Sequence, residues 1–205
     1  VFTREFGEYV DDWYAHNAVN RCCRAWGERP QLMQAMSLAD TYGLMFHSQR
    51  QFIGGCQWHP FDHQRGYHPD PYFGGIYDAF RQKKYAFEMF RSQTGYGGPS
   101  VFVANELTPF SDSNVTVFSN CDSVRLTVFG GDKVQTLSVA HVDGEIPNAP
   151  VVFKDFWNFQ QARDYSYKKR DWQHVTLLAE GIKDGKVVCS EKKMPSRRST
   201  KIRLR

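Results

Sequence analysis

The sequence predicts an α/β segment followed by an all-β segment, and three observations carry that prediction. Strand-like and helix-like runs alternate up to the cluster Gly95-Tyr96-Gly97-Gly98-Pro99, a turn or linker by composition. Beyond it, short β-type runs separated by turn residues fill the rest of the chain. With 41% hydrophobic and 23% charged residues in 205, the chain has material for one large domain or two small ones.

In the first part, Val1–Glu5 reads as the end of a strand. Apolar residues then recur at helical spacing within Pro30–Gln51, as Leu32, Met36, Ala39 and Gly43 beside Ala35, Tyr42 and Phe46. Phe52–Trp58 reads as a short buried strand, and His59–Phe73 as a long polar and aromatic loop. Gly74-Gly75-Ile76-Tyr77-Asp78 leads into a second helix over Lys83–Arg91. Two strand–helix units cannot close a barrel, which takes eight.

In the second part the expected strands are Ser100–Ala104, Asn114–Ser119, Val124–Phe129, Val134–Val139, Val151–Phe153, Trp172–Gly181, Lys186–Ser190 and Lys201–Leu204. Val115, Val117 and Ser119 alternate against Thr116, Phe118 and Asn120, the period of a pleated strand. Asp184-Gly185 between two apolar runs is a hairpin signal. Short strands at this density make an immunoglobulin-like β-sandwich, although no Cys…Trp…Cys pattern marks an antibody-type domain.

Several function classes are excluded or unsupported. A net charge of +4 is too mild for a nucleic-acid binder. Its basic runs, Lys168-Lys169-Arg170, Lys192-Lys193 and Arg197-Arg198, read as solvated faces. No apolar run reaches the length of a membrane span. Cys22, Cys23, Cys56, Cys121 and Cys189 form no C-x-x-C pair and read as free, mostly buried thiols. His59, His63 and His68, with Asp62 and Asp70, lack metal-motif spacing, so no metal or other cofactor is expected. P-loop and G-x-S-x-G motifs are absent.

Two positions could carry chemistry. Glu5 ends a strand and is followed by Phe6-Gly7, where a glycine lets the chain turn and a ligand approach. In parallel α/β folds chemistry gathers at strand C-termini, so Glu5 reads as a nucleophile or acid/base, or else as a strand-end partner of an arginine. Trp58 ends the second strand and reads as a flat wall for a sugar ring or as a core residue. In the second part, Phe156-Trp157-Asn158-Phe159 reads as loop aromatics that either stack on a glycan or pack against the neighbouring domain.

Together these pieces resemble a known family. Glu5-Phe6-Gly7 at a strand end, Phe52-Ile53-Gly54-Gly55-Cys56-Gln57-Trp58-His59-Pro60-Phe61-Asp62, Tyr72-Phe73-Gly74-Gly75-Ile76-Tyr77-Asp78 and Lys83–Gln93 look like the end of the catalytic (β/α)8 TIM barrel of glycoside hydrolase family 2, the β-galactosidase, β-glucuronidase and β-mannosidase family. Val115–Leu126 and Leu178–Val188 resemble the start and the closing hairpin of the immunoglobulin-like domain that follows that barrel. The order of the parts is more specific than any single motif.

The resemblance implies the end of a barrel (strands seven and eight) over residues 1–98 and an immunoglobulin-like domain over 99–205. It implies that Glu5 is the catalytic nucleophile, that Trp58 lines the subsite of the cleaved sugar, and that His59 and Asp62 shape its rim. The activity implied is a retaining exo-β-glycosidase, most simply a β-galactosidase, acting on a terminal β-linked glycan. The alternative is a non-catalytic carbohydrate-binding or spacer module. The family's acid/base glutamate belongs to an Asn-Glu pair on the fourth strand, and the Asn105-Glu106 of this chain lies in the wrong half. The chain is therefore expected to be a C-terminal piece, inactive alone, with the remainder of the same enzyme as its partner. Neither the sugar nor the compartment is set by these residues.

Overall fold

The computed structural model describes residues 1–6, 22–47, 50–64, 66, 71–140 and 146–195. The chain is mixed α/β with mostly antiparallel sheets. Strand β1 (Phe2–Phe6) pairs in parallel with β2 (Gly54–Gln57), Phe2 opposite Gly54 and Phe6 opposite Gln57. Parallel neighbours require a crossover, and helix α1 (Glu28–Tyr42) lies within it. Helix α2 (Tyr85–Ser92) follows β2 and packs on α1. Two parallel strands close no barrel by themselves.

The β-rich part forms two facing antiparallel sheets. One holds β3 (Val101–Ala104), β4 (Val115–Ser119) and β7 (Val151–Phe153) in the order β3-β4-β7. The other holds β5 (Ser123–Val128), β6 (Lys133–Ser138), β8 (Leu177–Lys183) and β9 (Lys186–Lys193) in the order β6-β5-β8-β9. The core between them includes Val117, Val124, Leu126, Phe153, Phe156, Trp157, Leu177 and Ala179. Asp184 and Gly185 both take positive φ, at 50° and 72°, as a two-residue hairpin turn demands.

A second apolar cluster joins the two parts. Ala35, Leu38 and Ala39 of α1 and Tyr85, Ala86 and Met89 of α2 pack with Ala104, Phe118 and Ile146 from the β-rich part. Polar contacts reinforce the seam. Gln93 Nε2 donates to the Asn148 carbonyl at 2.9 Å, and the Asn148 N–H returns a bond to Gln93 Oε1 at 2.9 Å. Glu28 accepts the backbone N–H of Glu106.

The structure corrects several expectations. Helix α1 ends at Tyr42 and continues as a wider turn over Gly43–His47, short of Gln51. Its buried stripe is rotated from the one read in the apolar residues. Gln31 and Gln34 are buried, whereas Leu32, Met36 and Tyr42 pack at the margin. Gln34 belongs there because its Nε2 donates to the carbonyls of Gly74 and Gly75, each at 3.1 Å. The strand expected from Trp172 begins only at Leu177. Trp172–His174 is a 3-10 turn, and an inverse γ-turn at Val175 (φ −77°, ψ 80°) bonds Thr176 N–H to the His174 carbonyl at 2.8 Å.

The aromatics Phe156 and Trp157 are not loop platforms. Both are buried, Trp157 at 2% exposure, inside the core of the sandwich itself. Trp157 packs 5.5 Å from Phe129, centroid to centroid. Phe159 opens a helix the sequence reading missed, α3 (Phe159–Arg163), capped by the Asn158 side chain accepting Gln161 N–H at 2.9 Å. Lys193 is not a solvated cation either. It lies over the Phe102 ring, 4.7 Å from the centroid. The expected strand Lys201–Leu204 and the Arg197-Arg198 run lie outside the described residues.

Trp157→Ala is expected to cost the folded protein about 3–5 kcal/mol in urea unfolding, the range for an aromatic removed from a packed core. A loss under about 1 kcal/mol would return Trp157 to the surface.

Candidate functional site

The parallel pair brings two of the residues singled out above to one place. In the backbone ladder, Trp58 N–H donates to the Phe6 carbonyl at 2.7 Å. Glu5 and Trp58 therefore stand at the C-terminal ends of adjacent strands. Phe6 packs into the helix-side cluster, and the register of β1 shifts between Thr3 and Phe6, so Glu5 lies in an irregular stretch of the strand. Its carboxylate is half-buried and lies 3.4 Å from the exposed guanidinium of Arg4. Gly7, read as the turn after it, lies outside the described residues.

Trp58 is 41% exposed, so one part of its indole is open to a ligand. The Trp58–His59 peptide bond is cis. The His59 ring packs 4.1 Å from Trp58, 4.2 Å from His63 and 4.7 Å from Tyr72 between centroids. Tyr72 is buried, and its hydroxyl donates to the Trp58 carbonyl at 3.4 Å. His59 thus sits between Trp58 and Tyr72, bracing the tryptophan from behind.

Asp62 is placed differently. It is buried, and Lys84 Nζ donates to its Oδ1 at 2.7 Å, with the lysine side chain fully buried. Lys84 also donates to the Phe73 carbonyl at 2.6 Å, and Gly75 N–H bonds Asp62 Oδ1 at 3.0 Å. A Cβ at Gly75 would lie 2.3 Å from Asp62 N and 2.4 Å from the Phe61 carbonyl carbon, so only glycine lets these backbones approach. Together with Gln34, this network ties helix α1, the loop after β2 and the residue preceding α2 into one unit.

Burial pushes the Asp62 carboxyl up to about 6, against the opposing pull of Lys84 and the Gly75 N–H. Since that exceeds the ordinary 3.8, the folded state holds this proton between the two values. Its contribution to stability therefore falls as pH rises from about 4 to 6.

A cavity of about 600 Å³ adjoins this loop, lined among others by Arg24, Asp62, His63, Phe73 and Phe80. Glu5 and Trp58 do not line it. Glu106, the glutamate of the Asn-Glu pair, accepts the Tyr85 hydroxyl at 2.6 Å at the seam between the two parts. It braces structure there. Among the described residues, no group of three or more His, Cys, Asp or Glu side chains converges to hold a metal ion. His68 and Asp70 lie outside them. No helix among the described residues is long and apolar enough to cross a membrane.

Sequence reasoning missed Gln34, Lys84 and Tyr72 as parts of this site. Lys84 gave no signal, because Lys83-Lys84 ahead of a helix reads as solvent-facing charge.

This architecture occurs in known enzymes. A β-glucuronidase from glycoside hydrolase family 2 superposes with a TM-score of 0.58 over 96% of this chain, at 19% identity. The Bacteroides uniformis β-glucuronidase 2 covalently bound to cyclophellitol-6-carboxylate aziridine matches over 82% of the chain with a TM-score of 0.56 and 15% identity. A Bacteroides vulgatus β-glycosidase matches over 71% with 0.53 and 17%. The chain spans 19%, 19% and 17% of these three proteins, respectively. No family model and no curated protein matches the sequence.

Replacing Lys84 by Met leaves the buried Asp62 carboxylate without its counter-charge. At pH 7 the expected loss is about 3–5 kcal/mol of stability. The loss should shrink toward pH 4, where a neutral Asp62 needs no partner, and Asp62→Asn added to Lys84→Met should recover most of it. Denaturant unfolding of the wild type and both variants across pH reads this directly. An equal loss at every pH would rule out the ion pair as its cause.

Proposed function

We propose that this chain is the C-terminal part of the catalytic region, with the following immunoglobulin-like domain, of a retaining exo-β-glycosidase. The observation that supports the reading is the parallel pairing of β1 with β2, with Glu5 and Trp58 near the C-terminal ends of these adjacent strands. Parallel α/β enzymes gather their chemistry there. The order β3-β4-β7 against β6-β5-β8-β9, antiparallel throughout, supports an immunoglobulin-like sandwich, and we set the boundary at residues 98 and 99. The burial of Phe156 and Trp157 argues against the sandwich as a glycan-stacking module.

In this mechanism Glu5, ionised, attacks the anomeric carbon from the face opposite the leaving group and forms a glycosyl-enzyme. A second carboxylic acid, about 5–5.5 Å from it, protonates the departing oxygen and then activates water. Glu106 of the one Asn-Glu pair accepts the Tyr85 hydroxyl at the seam, and the family resemblance implies an acid on an earlier barrel strand, so this chain alone is expected to be inactive. Trp58 offers its exposed face to the sugar ring. His59 holds the indole in place, and Asp62 acts at one remove by fixing the loop that carries both.

The substrate is a terminal β-linked sugar. A β-galactoside follows from the sequence reading, and a β-glucuronide from the names of the solved neighbours. A panel of aryl β-glycosides on the complete enzyme distinguishes them.

Incubating the complete enzyme with a cyclophellitol-type aziridine, followed by peptide mass spectrometry, tests the assignment. The label is expected on Glu5, and Glu5→Gln is expected to lower turnover by about a thousandfold or more. Labelling of a different carboxylate, with Glu5→Gln still active, would overturn it.

A further inference from the structure

We infer that Cys121 and Cys189 are a latent disulfide, a dithiol that a small-molecule disulfide oxidises in the folded protein. Their sulfurs lie 3.7 Å apart, although 68 residues separate them in sequence. Cys121 sits in the connection from β4 to β5, where the chain passes from one sheet to the other, and Cys189 lies on β9 at the far side of the second sheet. The space between them is provided by Gly181 of β8. It pairs with Cys189 in the ladder, and a Cβ on it would meet both sulfurs at 2.6 Å. Any larger residue there would force the thiols apart.

The surroundings favour one order of events. Cys121 is buried, its sulfur 3.9 Å from the Ser100 carbonyl, while Cys189 is partly exposed. The Cys189 thiolate attacks one sulfur of oxidised glutathione and releases a first glutathione as its thiolate, which takes up a proton. The Cys121 thiol then loses its proton and attacks Cys189 Sγ. The Sγ–Sγ bond forms and a second glutathione leaves. In sum, two protein thiols are oxidised by two electrons and one glutathione disulfide is reduced to two thiols. Burial and the neighbouring Cys121 push the Cys189 thiol up to about 11, which makes the first step slow at neutral pH and faster in alkali. The product would tie the sheet crossing to an edge strand and close a long loop, the situation in which a crosslink restrains the unfolded chain most.

The test incubates the folded protein with oxidised glutathione at about pH 8.5, near the ordinary thiol pKa, alkylates the remaining thiols, and maps non-reduced peptides by mass spectrometry. A Cys121–Cys189 crosslinked peptide is expected, two hydrogens lighter than the sum of its parts. It should be absent in Cys189→Ser and should revert with dithiothreitol. Oxidation should raise the Tm of the wild type by roughly 10 °C and leave Cys121→Ser and Cys189→Ser unmoved. Glutathione found only as single adducts, on Cys189 or on the exposed Cys56, with Cys121 still alkylated after denaturation, would overturn the inference.

Discussion

The constraint on which the rest of this structure depends is the parallel pairing of β1 with β2. Parallel strands cannot be joined by a hairpin, so the chain must leave the sheet and return, and the crossover contains α1. Once α1 lies beside the sheet, its buried stripe dictates the next layers. Helix α2 packs on it, and the two helices together form the surface that the β-rich part covers with Ala104, Phe118 and Ile146. The same pairing brings Glu5 and Trp58 to the C-terminal ends of adjacent strands. Architecture and candidate chemistry thus have a single origin.

The loop after β2 shows how polar burial can serve position. A fully buried lysine is costly unless a carboxylate and further acceptors surround it. Lys84 has both, Asp62 and the Phe73 carbonyl, while Gln34 reaches across from α1 to the carbonyls of Gly74 and Gly75. Apolar residues would fill this volume without fixing direction. The directional bonds hold the loop that carries Trp58, His59 and Tyr72, so the tilted, edge-to-face aromatic group beside the exposed indole is fixed as well.

Much of this is legible in the residues. The alternation over Val115–Asn120 and the hairpin at Asp184-Gly185 each correspond to an observed feature. So does the strand–helix–strand–helix order of the first part, whose residues alone resemble the family 2 glycoside hydrolases. Where expectation and structure part, a polar residue behaves as a core residue, or an aromatic one is withdrawn from solvent. Gln34 rotates the buried stripe of α1 because its partners lie 40 and 41 residues away, beyond any local pattern. Asp62 reads as facing a ligand because its partner, Lys84, carries no sign of burial in sequence. Trp157 looks like a surface platform as long as the helix after it goes unnoticed, although Asn158 at the cap position is the available signal. The inverse γ-turn at Val175 interrupts a run that reads as continuous strand.

The parallel pairing of β1 with β2, and with it the juxtaposition of Glu5 and Trp58, is tested most directly by amide hydrogen exchange at Trp58 in the folded protein. Its N–H donates to the Phe6 carbonyl at 2.7 Å, and nothing else in the site depends so immediately on strand order. Paired strands predict exchange slowed by roughly a thousandfold or more relative to the unstructured chain. Exchange at the unprotected rate, with the neighbouring helices still protected, would mean that the strands do not pair and that Glu5 and Trp58 are not partners.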